Sequence, residues 1–96
     1  MDTSKSAQQL KIAKAFPNPF QDQITLETKS NDTYIVRVFS ADGQQLIREE
    51  FAGQTKTFDV SSLSSGIYFL KIRMKTSKKV QTIQLSKTWA YDLFQS

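Results

Sequence analysis

The chain contains neither cysteine nor histidine among its 96 residues. Their absence removes disulfides, thiolate and imidazole metal ligands, and every Ser-His or Cys-His nucleophile. We therefore predict no catalytic residue, no metal site and no cofactor, and we expect the protein not to be an enzyme. The missing cysteines leave the redox compartment open, since small all-β domains without disulfides are possible in either kind of compartment.

Long hydrophobic runs are missing as well. No segment approaches the ~20 consecutive apolar residues that a membrane-spanning helix needs. Residues 1–9 are polar and contain no hydrophobic segment typical of a secretory signal peptide. We therefore expect the chain to be either cytoplasmic or a piece of a longer protein. Its length predicts one domain, and an apolar content of 39% is enough for a continuous core.

Carboxylates and serines remain as candidates for catalysis, and neither group forms a catalytic pattern. The acidic residues are spread over predicted turns and strand exteriors, whereas a glycosidase needs two carboxyl groups facing each other across a cleft. Four serines surround one leucine in the stretch 61–65. Without a histidine to act as base, we interpret these serines as turn residues.

Hydrophobic and polar residues alternate in short segments, which are separated by turn-type residues. We predict seven strands, at residues 10–16, 24–28, 34–39, 45–51, 56–60, 67–72 and 80–86. Short strands that recur about every 8–12 residues, without a helical period, indicate an antiparallel sandwich or barrel. The composition of the segments 29–32 and 52–54 predicts turns between strands.

The segment 67–72 is the most hydrophobic in the chain and is apolar on both faces. We therefore place it in the middle of the sheet, between two other strands. Gly66 is predicted to let the backbone pass from the serine-rich turn into the strand. Leu63 is predicted to cover one end of the core. Tyr68 is expected in the core with its hydroxyl at a polar boundary.

Two further turns follow from proline and glycine. Pro17, Asn18 and Pro19 predict a corner, since two prolines fix φ twice and remove two backbone donors. The phenylalanines on either side of this corner are expected to pack back onto the core. Asp42 and Gly43 predict a tight hairpin, in which Gly43 supplies a positive φ.

The chain divides into three regions by composition. Residues 1–13 are predicted to be a flexible lead-in together with the start of the first strand. Residues 14–87 form the predicted β-sandwich domain. Residues 88–96 are an aromatic tail, which caps the core, adds a strand or hangs free.

Four motifs occur in order along the chain. They are Ala15-Phe-Pro-Asn-Pro-Phe20, the hairpin in Val38-Phe-Ser-Ala-Asp-Gly-Gln44, the Leu-x-x-Gly-Ile-Tyr element at 63–68, and the basic strand at 80–87. Together they resemble the type A C-terminal sorting domain of the type IX (Por) secretion system of Bacteroidetes. The resemblance covers residues 14–87, with Phe16 where the family commonly has tyrosine.

The resemblance implies an Ig-like β-sandwich, in line with the seven strands predicted from the pattern. We therefore expect a seven-stranded antiparallel Ig-like sandwich with Greek-key connections. The resemblance also implies a secretion signal at the C-terminus of a passenger protein, which reaches the periplasm by its own signal peptide. The passenger then crosses the outer membrane, toward the cell surface or the medium. The implied partners are the type IX outer-membrane translocon and a sortase-like peptidase that removes the domain. We expect no nucleic acid, no small-molecule ligand, and a monomer or weak dimer.

The candidate recognition residues come from these motifs and from the basic last hairpin. They are Pro17, Asn18, Pro19, Asp42, Gly43, Leu63, Gly66, Tyr68, Lys71, Lys79 and Lys87. For the motif residues, a purely structural role is the alternative. The last hairpin, 66–87, is expected to offer an edge strand and positive charge to an acidic partner, unless its lysines only protect the edge. A nucleic-acid surface is disfavoured, because aromatic residues are not interleaved with these charges.

Two other functions are compatible with the pattern. One is an Ig-like or fibronectin-like accessory module that binds carbohydrate or protein at the cell surface. An exposed row of aromatic residues on one sheet face would favour this module. The other is an adhesive module of the same fold that is retained on the surface without cleavage.

Overall fold

The computed structural model describes residues 12–88 of the chain. They form five β-strands, which are β1 (Ala13–Phe16), β2 (Gln23–Ser40), β3 (Gln45–Asp59), β4 (Gly66–Met74) and β5 (Val80–Lys87). Each strand pairs antiparallel with its neighbours, so the predicted all-β antiparallel class is confirmed. Within this part of the chain, no helix is long and apolar enough to cross a membrane.

The longest strand, β2, pairs with three of the other four strands. One of its edges pairs with β3 over almost its whole length. Its other edge pairs first with β1 and then, from Tyr34 onward, with β4, whose far side carries β5. The strand β4 therefore lies between β2 and β5, which is the central position that its apolar sequence predicted.

The strand count differs from the prediction. The described residues form five strands in one sheet, not the seven strands of an Ig-like Greek-key sandwich. Both turns predicted from composition, at 29–32 and 52–54, lie inside strands. Glu27 pairs with Thr55, and the next pair is Asp32 with Gly53. Between these two pairs β2 contains four residues, whereas β3 contains one. The polar residues of β2 thus form a bulge, which turn-type residues accommodate as readily as a turn.

Hydroxyl groups hold this bulge together. The hydroxyl of Thr28, a buried polar residue, donates to the carbonyls of Ser30 at 3.2 Å and Gly53 at 3.1 Å. The Tyr34 hydroxyl donates to the Ser30 carbonyl at 2.7 Å. Because these bonds satisfy the polar groups of the bulge, two long strands bend at the same level without ending.

The bend curls the sheet around a single core. Side chains from both halves of β2 enter this core, together with residues of β1, β3, β4 and β5. The largest fully buried side chains are those of Phe20, Ile24, Leu26, Tyr34, Val36, Val38, Val60, Leu70, Ile72 and Leu85. One sheet therefore supplies both walls of its own core, and for this reason the sequence pattern resembles that of two packed sheets.

Phe20 seals the open side of the curled sheet. Its side chain is 0% exposed, and its ring centroid lies 6.0 Å from that of Tyr68. The phenylalanine on the other side of the corner, Phe16, is 41% exposed. The prediction that both rings pack back onto the core is therefore wrong for Phe16, since the corner turns only one of them inward.

Within the described residues the first strand spans Ala13–Phe16, and the backbone at its start is hydrogen-bonded to β5. The backbone N–H groups of Ile12 and Ala13 donate to Oε1 of Gln81 at 2.6 Å and 2.8 Å. A side chain thus bridges the two ends of the curled sheet. The predicted lead-in before residue 12 and the aromatic tail at 89–96 lie outside the described residues.

Replacing Phe20 by alanine should destabilise the domain strongly. The change Phe20→Ala leaves a cavity in the core, and comparable substitutions lower the free energy of unfolding by about 3–5 kcal/mol. Phe16→Ala removes the same side chain from an exposed site and should lower it by about 1 kcal/mol or less. Urea denaturation of both variants measures the two values. Equal losses would contradict the role of Phe20 as the seal of the core.

Candidate recognition site

The corner formed by Pro17, Asn18 and Pro19 lies along the outer edge of β5. The Asn18 side chain donates its amide to the Gln84 carbonyl at 3.3 Å and accepts the Ser86 backbone N–H at 3.0 Å. Both prolines are preceded by cis peptide bonds, and neither has an N–H to donate. The side chain of Asn18 therefore takes the place of a neighbouring strand for this part of β5.

Phe20 continues the same contact through its backbone. Its N–H donates to the Ser86 carbonyl at 2.9 Å, and its carbonyl accepts the Thr88 N–H at 3.0 Å. We name this arrangement, Asn18 and Phe20 against residues 84–88, the closed edge. The expectation that the last hairpin offers a free edge strand is wrong for this stretch, because the corner already occupies it.

The turn before β4 is organised by the three residues of the Leu-x-x-Gly-Ile-Tyr element. The N–H of Leu63 donates to the Val60 carbonyl at 3.1 Å, and its side chain packs against the core. Tyr68 is buried and donates its hydroxyl to the Ser64 carbonyl at 2.5 Å. Gly66 has a φ of 150°, which L side chains rarely adopt. These contacts give all three residues a structural role.

Lys87, the last residue of β5, holds the same turn from the other side. Its Nζ donates to the carbonyls of Val60 at 2.8 Å and Ser61 at 3.0 Å. Asp59 accepts the Ser61 N–H at 3.0 Å and the Ser61 hydroxyl at 2.7 Å. These two hydrogen bonds, with the charge of Lys87, hold the pKa of Asp59 below its usual value. Lys87, predicted to face a partner, thus donates within the domain.

The hairpin between β2 and β3 has the predicted form. Gly43 has a φ of 93°, and its N–H donates to the Ser40 carbonyl at 2.9 Å. The Ser40 hydroxyl donates to the Asp42 carboxylate. This hydrogen bond is the largest cause of the lowered pKa of Asp42, and hydrogen bonds from backbone N–H groups of the turn lower it further. The aspartate therefore shapes the turn, as its position before glycine indicates.

The family comparison agrees with these motifs. A family model described as the secretion system C-terminal sorting domain matches residues 14–86. The chain belongs to this family. It is a C-terminal sorting signal of the type IX secretion system, which confirms the resemblance seen in the four motifs.

The sorting domain also resembles part of a solved structure. PorZ is an essential bacterial surface component of the type-IX secretion system of Porphyromonas gingivalis. The two chains share 21% identity with a TM-score of 0.62, over 88% of this chain and 12% of the PorZ chain. The sorting domain thus spans a small part of PorZ, and at this identity the likeness concerns the fold. A search of curated proteins gives no match.

The sorting domain gathers most of its candidate residues at one end of the sheet. Tyr68 pairs in register with both Ser40 and Leu85, so the proline corner, the serine-rich turn and the β2–β3 hairpin lie at that end. Lys79 precedes the opposite end of β5, which is roughly 23 Å long from end to end. Lys71 lies in the middle of β4. The basic residues of the last hairpin are therefore not one patch.

The sequence pointed to Lys71 as a candidate but not to the two arginines that stand in line with it. Arg37 of β2 pairs in register with Arg48 of β3 on one side and Lys71 of β4 on the other. The alternation around Arg37 places its side chain outside the core. Only the strand pairing, however, shows which cations stand beside it.

Truncating the side chain of Asn18 should open the closed edge at one amide. In Asn18→Ala the Ser86 N–H loses its acceptor, and we expect its hydrogen exchange to accelerate about fivefold, as the loss of ~1 kcal/mol implies. Asn18→Asp keeps an acceptor oxygen, so the Ser86 amide should stay protected. Exchange followed by NMR measures both variants, with the amides of β2 as the internal control. Unchanged exchange at Ser86 in the alanine variant would refute this assignment.

The lowered pKa of Asp59 predicts a loss of stability in acid. A carboxyl whose pKa falls on folding stabilises the domain above about pH 4 and loses this effect as the pH drops through its folded value. In Asp59→Asn the side chain no longer titrates, so the thermal midpoint should fall less between pH 6 and pH 3 than in the wild type. The group is fully exposed, so the difference is small. An identical fall in both proteins would contradict the prediction.

Proposed function

We propose that this sorting domain directs a passenger, joined to its N-terminal side, from the periplasm through the outer-membrane translocon of type IX secretion. A sortase-like peptidase then removes the domain, and the passenger remains at the cell surface or is released. The observation that carries this proposal is the family match over residues 14–86. All four motifs named from the sequence lie in or next to that range.

The domain acts as a folded sorting signal and not as an enzyme. Two groups that would attract a catalytic interpretation are used in turns: Ser61 donates its hydroxyl to Asp59, and Ser40 donates its hydroxyl to Asp42. The Leu63, Gly66 and Tyr68 element also supports the turn before β4. Because these residues maintain the shape of one end of the sheet, a partner is expected to read the surface that they hold in place.

The alternative of a carbohydrate-binding accessory module depends on exposed aromatic rings in a row. Phe39 and Phe69 are cross-strand neighbours on the outer face of the sheet. Both are only partly exposed, and Nζ of Lys71 lies 5.9 Å from the centroid of the Phe39 ring. A sugar needs an open ring face to stack on, so this pair favours the sorting function over the accessory module.

A reporter export assay tests the sorting function. A signal peptide and a fluorescent protein are fused before this chain and expressed in Bacteroidetes hosts with and without a working type IX translocon. We expect the reporter outside the cell only when the translocon works. The mass of the exported reporter shows whether a peptidase has removed the sorting domain.

Two controls accompany this assay. A fusion without residues 14–88 measures export that does not depend on the domain, and a fusion without residues 89–96 measures the contribution of the aromatic tail. Reporter retained in the periplasm of both hosts would overturn the sorting function. An exported reporter of uncut mass would remove only the peptidase step.

A further inference from the structure

Three cationic side chains stand side by side across the outer face of the sheet. Arg48, Arg37 and Lys71 come from β3, β2 and β4, and the pairs Arg37–Arg48 and Arg37–Lys71 are directly opposite in register. Arg37 alternates with the buried Val36 and Val38, so its side chain is directed away from the core. We name these three residues the basic row.

The basic row works against the stability of the fold. Like charges directly opposite each other on neighbouring strands are destabilising. Within residues 12–88, no carboxylate lies within ion-pair distance of the row. The acid nearest to it on β3's outer face, Glu50, is paired with Lys75 at 2.9 Å. A row that the fold does not neutralise is suited to a partner that carries the opposite charge.

Apolar side chains adjoin the basic row on the same face. Phe39 and Phe69 are cross-strand neighbours, one alternation further along β2 and β4. Ile67, the next outward residue of β4, is 39% exposed. Arginine and aromatic side chains together are typical of protein–protein interfaces and of the residues that dominate their affinity.

We propose that the basic row, with Phe39 and Phe69 beside it, is a docking surface for an acidic protein of the secretion machinery. This inference rests on the proposed export function and adds the face that the machinery reads. Complementary charge speeds the encounter and selects the partner, while the phenylalanines supply buried contact. Nucleic acid fits less well, because the Lys71 ammonium lies over the Phe39 ring, where a base would stack.

The test compares three versions of the exported fusion. The neutral version carries Arg37→Gln, Arg48→Gln and Lys71→Gln. The control carries Lys14→Gln, Lys29→Gln and Lys78→Gln, which removes three charges from exposed sites outside the row. A reversed version places glutamate at the three row positions.

The neutral version should fold better and be exported worse. Its thermal midpoint should rise by about 2–8 °C, because the cross-strand repulsion is gone. Its export should slow at least about tenfold, because the charge that attracts the partner is lost. The control should keep wild-type export and show no such rise. In the reversed version, repulsion returns and the midpoint falls back, while export slows further.

The other possible results show whether the docking surface or the export function itself is wrong. If the wild-type fusion is not exported through the translocon, the export function itself is overturned. If the wild type is exported and the neutral version is exported equally well, the docking surface is overturned and the export function stands. Equal slowing of the neutral and control versions would show a general charge effect and would also overturn it.

A lipid or glycan surface is the other source of negative charge, and vesicles test it directly. The purified wild-type and neutral domains are mixed with vesicles that contain lipopolysaccharide from the same host. We expect no difference in binding between the two domains. Vesicle binding by the wild type that the neutral version loses would overturn the protein partner and assign the basic row to the membrane surface.

Discussion

A curled sheet that forms both walls of its own core depends on closing the side where β5 ends. Two residues of one short segment achieve this closure. The Asn18 side chain is hydrogen-bonded to the backbone of Gln84 and Ser86. The Phe20 backbone is hydrogen-bonded to that of Ser86 and Thr88. The Phe20 ring then fills the opening with no exposed surface. The same segment thus satisfies edge hydrogen bonds, which otherwise invite association, and completes the apolar core.

The motifs that identify the family are, in this chain, mostly the residues that build this end of the molecule. Leu63, Gly66 and Tyr68 shape the turn before β4, and Lys87 binds the carbonyls of that turn. Because these motif residues are engaged within the domain, they maintain the shape of the surface at this end of the sheet. We propose that a partner reads this surface and not the motif side chains alone.

On the outer face of the sheet, the surface that we propose for docking opposes the stability of the fold. Arg37 stands between Arg48 and Lys71 with no acid of the described chain to balance them. A fold optimised for stability alone would place an acid in that row. Arrangements that break a local rule of this kind are expected where a protein meets its partner. The partly exposed phenylalanines beside the row agree with that interpretation.

The sequence by itself determined the all-β class, the hairpin at Asp42 and Gly43, the central position of residues 67–72, and the family, because each depends on local residue type and spacing. The tertiary structure decided the strand number. The residues at 29–32 suit a bulge as well as a turn, and only pairing with β3 selects the bulge. The tertiary structure also brought together the residues of the basic row and those of the closed edge. Both join residues far apart in the chain, and no local pattern carries the register that brings them together.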